Sequence, residues 1–205
     1  MSAGFRILAS WFALSLGIAS CSTPQTTGYL ADYAHLEKGR FIEMYFADRS
    51  SIAKGHYNRL VLGSISTDAI RDQKNVSRSE SVRWLRNSLL LSPEASADPV
   101  VLSKPGAGAT AQLDLGITEM NPGSAAARIL AGEFGAGHAW VQVEGRVTDP
   151  QGGATLATFA ERRRSSGATG FRDVGGDSGP ALIEELIEEI GADIRRELGN
   201  TFGLR

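Results

Sequence analysis

The stretch from His138 to Arg163 restricts the fold of this chain more than any other. Asp149-Pro150-Gln151-Gly152-Gly153 is a dense turn signal, combining a proline-set φ with two glycines free to take positive φ. Before it, Val141, Val143 and Val147 alternate with Gln142, Glu144 and Arg146, the period of two that a strand imposes. After it, Thr155–Arg163 reads as the returning arm of a hairpin. A hairpin needs further strands beside it, and the chain supplies them. Leu113, Leu115 and Ile117 alternate with Gln112, Asp114 and Thr118, and Arg59-Leu60-Val61-Leu62-Gly63-Ser64-Ile65 is a short apolar run suited to a buried strand.

Helical signals fall between and after these strands. Ser77 and Glu80 form a capping box before Val82, Leu85 and Leu89, and Pro93 stops that helix. Ser124 caps a helix predicted over Ala125–Phe134, which a bend at Gly135-Ala136-Gly137 ends. Leu182, Ile183, Leu186, Ile187, Ile190, Ile194 and Leu198 make an apolar stripe, with Glu184, Glu185, Glu188 and Glu189 early and Arg195 and Arg196 late, as the helix dipole favours. The expected class is α/β, a two- or three-layer sandwich whose mixed sheet ends in a hairpin and is covered by helices.

The first twenty-one residues address location. Arg6 precedes an apolar run from Ile7 to Ala19, then Ser20 and Cys21, the single cysteine of the 205 residues. Crossing a bilayer takes about 20 apolar residues, so this run suits the h-region of a secretory signal. Ala19-Ser20 before Cys21 resembles the bacterial lipobox, in which the cysteine is acylated and becomes the first mature residue. A cleaved signal without acylation would leave a lone thiol in an oxidising compartment. Ser22, where an aspartate would signal inner-membrane retention, implies by the same resemblance the periplasmic face of the outer membrane. The expected organisation is a signal peptide over 1–20, a lipidated cysteine and polar tether over 21–28, and one periplasmic domain over 29–205. Without residues 1–20 the chain carries 20 Lys and Arg against 23 Asp and Glu, a formal charge of −3. That balance gives no basic footprint for nucleic acid.

Catalytic motifs fare poorly. Gly176-Asp177-Ser178-Gly179-Pro180 has the look of a serine-protease nucleophile, yet a nucleophile needs an oriented base, and His35, His56 and His138 stand in no matching context. Ser178 before Pro180 also suits a helix N-cap. The glycines of 132–137 follow a helix and precede a strand, the reverse of a phosphate loop. Three scattered histidines make no metal-ligand cluster, so neither metal nor cofactor is expected. His138, at a strand start, reads as a satisfied surface or edge residue. Arg162, Arg163 and Arg164 read as a solvated strand end that blunts an edge, with contact to anionic headgroups or an acidic partner as the functional alternative. Trp140 is either covered by a helix or an exposed interface anchor.

Two segments resemble bacterial lipoprotein families described only as domains of unknown function. One is Gly28-Tyr29-Leu30-Ala31-Asp32-Tyr33 with Leu36; the other runs from Glu119-Met120-Asn121-Pro122-Gly123-Ser124 through Arg128-Ile129-Leu130 and Gly135-Ala136-Gly137 to Val147-Thr148-Asp149. The resemblance implies an envelope lipoprotein and carries over no catalytic residues. The expected role is a non-catalytic accessory or scaffold for envelope protein partners, tied to the membrane through Cys21. The alternatives are a serine hydrolase using Ser178, or a carrier of small or lipid ligands with a deep apolar pocket.

Overall fold

The computed structural model describes residues 23–70, 76–91, 99–124, 127, 137–165 and 179–205. In chain order the elements are β1 (Met44–Ala47), α1 (Arg49–Gly55), β2 (Tyr57–Ser66), α2 (Arg78–Leu89), β3 (Val100–Ser103), β4 (Ala109–Asn121), β5 (Trp140–Thr148), β6 (Thr155–Arg164) and α3 (Gly179–Phe202). The six strands form one sheet in the order β1-β6-β5-β4-β2-β3. β2 and β4 run parallel while the other neighbours are antiparallel, so the sheet is mixed and the α/β class is as expected.

The hairpin forms at the expected turn, where Gly153 takes φ +69° and donates to the Asp149 carbonyl at 2.8 Å. Register then sorts the strands onto two faces. Val143 lies opposite Ile117 and Glu161, and Val147 opposite Leu113 and Ala157. This face is the apolar one, and α2 and α3 cover it. The Ser77 capping box starts α2, placing Leu85 and Leu89 in the core. Along α3 the predicted stripe from Ile183 to Leu198 is buried, each side chain worth about 1.5–3 kcal/mol of burial. Gly191 allows the two helices to meet, since a Cβ there would lie 2.0 Å from Ser88 Oγ. Of the helix predicted over 125–134 only Ala127 is among the described residues; it is helical and donates to Ser124 Oγ at 3.3 Å.

Three elements have no counterpart in the sequence reading. β1, α1 and β3 span 4, 7 and 4 residues, too short to show a period. Both outer strands are closed off. Glu37 and Tyr45 exchange backbone hydrogen bonds of 3.0 and 2.7 Å along β1, and Arg205 and Ser103 exchange 3.3 and 3.1 Å bonds along β3. β6 is therefore interior, paired with β1 and β5, and its arginines do not blunt an edge.

An irregular arm runs from residue 25 to residue 43; its first part lies on the second face of the sheet, and its last residues reach Glu197 and Glu161 on the helix side. Within the polar tether expected over 21–28, Gln25 and Thr27 are hydrogen-bonded to the sheet. The reason is electrostatic. Gln142 and Glu144 are both 0% exposed, and buried polar groups of this kind require partners. Among the described residues no helix is long and apolar enough to cross a membrane.

Candidate functional site

Glu144 is the centre of the arm's attachment. Its Oε1 accepts from Thr27 Oγ1 at 2.5 Å, Thr118 Oγ1 at 2.8 Å and Gln142 Nε2 at 3.0 Å, and its Oε2 accepts from Tyr33 Oη at 2.5 Å. Tyr33 Oη in turn accepts from the Thr27, Gly28 and Leu30 amides at 3.2–3.3 Å, so the arm curls around one phenol. Gln142 clamps the backbone of Gln25 from both sides: its Oε1 accepts the Gln25 N–H at 2.7 Å and its Nε2 donates to the Gln25 carbonyl at 2.6 Å. Between these points the Tyr29 ring lies on Gly116, where a Cβ would sit 2.5 Å from the ring. Burial raises the Tyr29 phenol to about 12, with Arg146 pulling it down and Asp114 and Glu144 pushing it further up.

Two more buried glutamates receive the arm beyond Tyr33. Glu197 on α3 accepts the Phe41 N–H at 2.6 Å, and Glu161 on β6 accepts the Glu43 N–H at 2.6 Å. Burial raises Glu161 to about 7, against the pull of the Glu43 amide and of Arg163. Asp114 lies beside Tyr29 on the arm face. Burial pushes its carboxyl up, but hydrogen bonds from Ser64 and Gln112 and the charge of Arg146 outweigh that and hold it below the usual range.

The three sequential arginines are not a solvated strand end. Arg162 and Arg164 face the arm side and Arg163 the helix side, as alternation predicts. Arg162 is 8% exposed, pairs with Glu119 at 3.1 Å and sits 5.9 Å over the Trp140 ring. Arg163 bridges Glu161 at 2.8 Å and also bonds Asp193 on α3. Arg164 is half-buried opposite Trp140. The half-buried Trp140 is covered by this guanidinium and borders an open cleft of about 420 Å³ with Gln25, Thr118, Glu119, Asn121 and Arg162. With its amide turned to suit both neighbours, Gln25 donates to Glu119 at 3.0 Å and accepts from Arg162 at 2.8 Å.

His138 is buried, its Nδ1 2.6 Å from the Ser165 carbonyl, and so is a core residue, not the surface residue expected. His35 lies 3.2 Å from Asp32 on the exposed arm, and His56 caps α1 in the left-handed region at φ 48°. Cys21 and Ser178 lie outside the described residues. Among the described residues no group of three or more His, Cys, Asp or Glu is placed to hold a metal ion. A second open cleft, about 540 Å³, has an apolar floor of Phe41, Leu91, Leu102 and Leu204 beside Arg195 and Arg196. Sequence reasoning missed the glutamate and glutamine that hold the arm because alternation with valine reads as solvent exposure. The aromatic and apolar residues Tyr29, Leu30 and Tyr33, just after the polar tether, are the signal that could have found them.

Residues 100–170 match the model of a family described as a domain of unknown function (DUF4410), a span running from β3 past the end of β6. That description assigns no activity. No curated protein matches the chain. Among solved structures, a PelC dodecamer from Paraburkholderia phytofirmans is 12% identical, with 64% of this chain and 88% of that chain covered and a TM-score of 0.35. A candidate lipoprotein from Caulobacter crescentus is 14% identical, with coverages of 74% and 95% and a TM-score of 0.31. These are distant likenesses.

Proposed function

We propose that this protein is a non-catalytic accessory or scaffold of the bacterial cell envelope, anchored by acylation of Cys21 to the periplasmic face of the outer membrane. The observation that carries the reading is the use made of its buried polar side chains. Gln142, Glu144 and Glu197 are groups of the kind an active site would turn toward a substrate, and here the chain's own arm fills them. The two clefts described above are open, which suits contact with surfaces better than enclosure of a small ligand.

Metabolic labelling with radioactive palmitate tests the anchor. The parent chain should label and Cys21→Ser should not; equal labelling of the two would overturn it. Crosslinking in intact cells, followed by co-purification, tests the scaffold role: specific envelope partners should be recovered with the parent and lost with Cys21→Ser. A fluorophosphonate probe that labels the purified protein, but not Ser178→Ala, would replace this reading with a hydrolase.

A further inference from the structure

Resting on the reading of Cys21 as the lipid anchor, we infer that one defined end of the sheet lies against the phospholipid headgroups: the end where Asn121, Trp140 and Arg164 stand in register, beside the Gln25 cleft.

The argument is one of chain length. Gln25 is held at that end by both backbone groups on Gln142 and by its side chain between Glu119 and Arg162. It lies four residue steps from Cys21, a reach of at most about 14 Å when fully extended. A body of this size is about 40 Å across, so a leash that short cannot pass around it. The opposite end of β5, at the Asp149–Gly153 turn, is nine residues and about 30 Å further away. With the arm untied as far as Tyr33, the leash would lengthen to about 43 Å and the body would turn freely. Glu144 and Gln142 therefore determine orientation as well as packing. The presented end suits a headgroup layer. The Trp140 indole and the Arg162 guanidinium each combine an apolar body with a polar edge. Glu119 neutralises Arg162, so the leash, and not attraction to acidic lipid, supplies the contact.

The test uses the acylated chain in vesicles of four parts phosphatidylcholine to one part phosphatidylglycerol, doped with a lipid carrying a nitroxide on its headgroup. An environment-sensitive dye is placed at Ala69→Cys, an exposed residue lining the cleft, or at Gln151→Cys, exposed in the far turn. Both proteins should float with the vesicles, and the dye at position 69 should be quenched several-fold more than the dye at 151. Equal or reversed quenching in floating protein would overturn the orientation while leaving the anchor intact. Protein that does not float would overturn the anchor, and the orientation with it. Combining Gln142→Leu with Tyr33→Phe and Thr27→Val, with arm release verified by amide exchange over residues 25–33, should erase the difference. A difference that survives in the released chain would show that the arm does not set it.

Discussion

The two faces of the sheet are closed by opposite chemistry. On the helix face, Leu113, Leu115, Ile117, Val143 and Phe159 meet the stripe of α3, and shape and apolar area do the holding. On the arm face, among the described residues, irregular chain lies over Gln142 and Glu144, and its hydrogen bonds end on buried polar side chains. The first kind of contact is non-directional and tolerates repacking. The second is directional and coupled, so that losing one partner strands the others. The helix face should therefore determine whether the chain folds, and the arm face where its leading residues lie.

The largest expected effect is on the helix face. Phe159→Ala, at a fully buried ring, should cost about 3–5 kcal/mol in a denaturant titration and lower the stability of the whole body. A loss confined to the arm would break the contrast. Next comes Glu161, which accepts the Glu43 amide of the arm and pairs with Arg163 on the helix face. Its folded pKa of about 7 lies above the ordinary 4.5 because of burial, so its contribution to stability is full below about 4.5 and is lost as pH rises through 7. Relative to the parent, Glu161→Gln should accordingly gain up to about 3 kcal/mol between pH 4.5 and pH 8. A flat difference across that window would show that Arg163 offsets the burial.

Tyr33→Phe sharpens the comparison from the arm side. Removing the phenol that joins Glu144 to three arm amides should cost about 1.5–3 kcal/mol. It should also raise amide exchange over residues 25–33 while leaving α3 protected. Parallel loss of protection in α3 would mean that the arm belongs to the core. The smallest effect is expected at the α2 cap, where Ser77→Ala removes the side-chain half of the capping box for about 1 kcal/mol and should not touch the arm.

These differences also explain what was legible beforehand. The β5–β6 hairpin, the Ser77 cap and the α3 stripe announce themselves because turn chemistry and periodicity are local properties of the sequence. Gln142 and Glu144 misled, since a polar residue between valines carries the same signature whether water or another part of the chain covers it. The partners that bury Glu144 stand 117 and 111 residues away, at Thr27 and Tyr33, and no local rule joins them. The arginines are a milder case. Alternation placed Arg162 and Arg163 on opposite faces correctly, but their partners, Glu119 and Asp193, depend on the tertiary arrangement.

The backbone pairing of Glu37 with Tyr45 and of Arg205 with Ser103 has a consequence for how this body meets its neighbours. A protein that recruits others by lending them a strand needs a free ladder of amides and carbonyls, and here Tyr45 on β1 and Ser103 on β3 already have both backbone groups bonded within the chain. Any newcomer seeking to lengthen the sheet must first evict a segment of the host chain. At these two positions association by strand exchange is thus disfavoured.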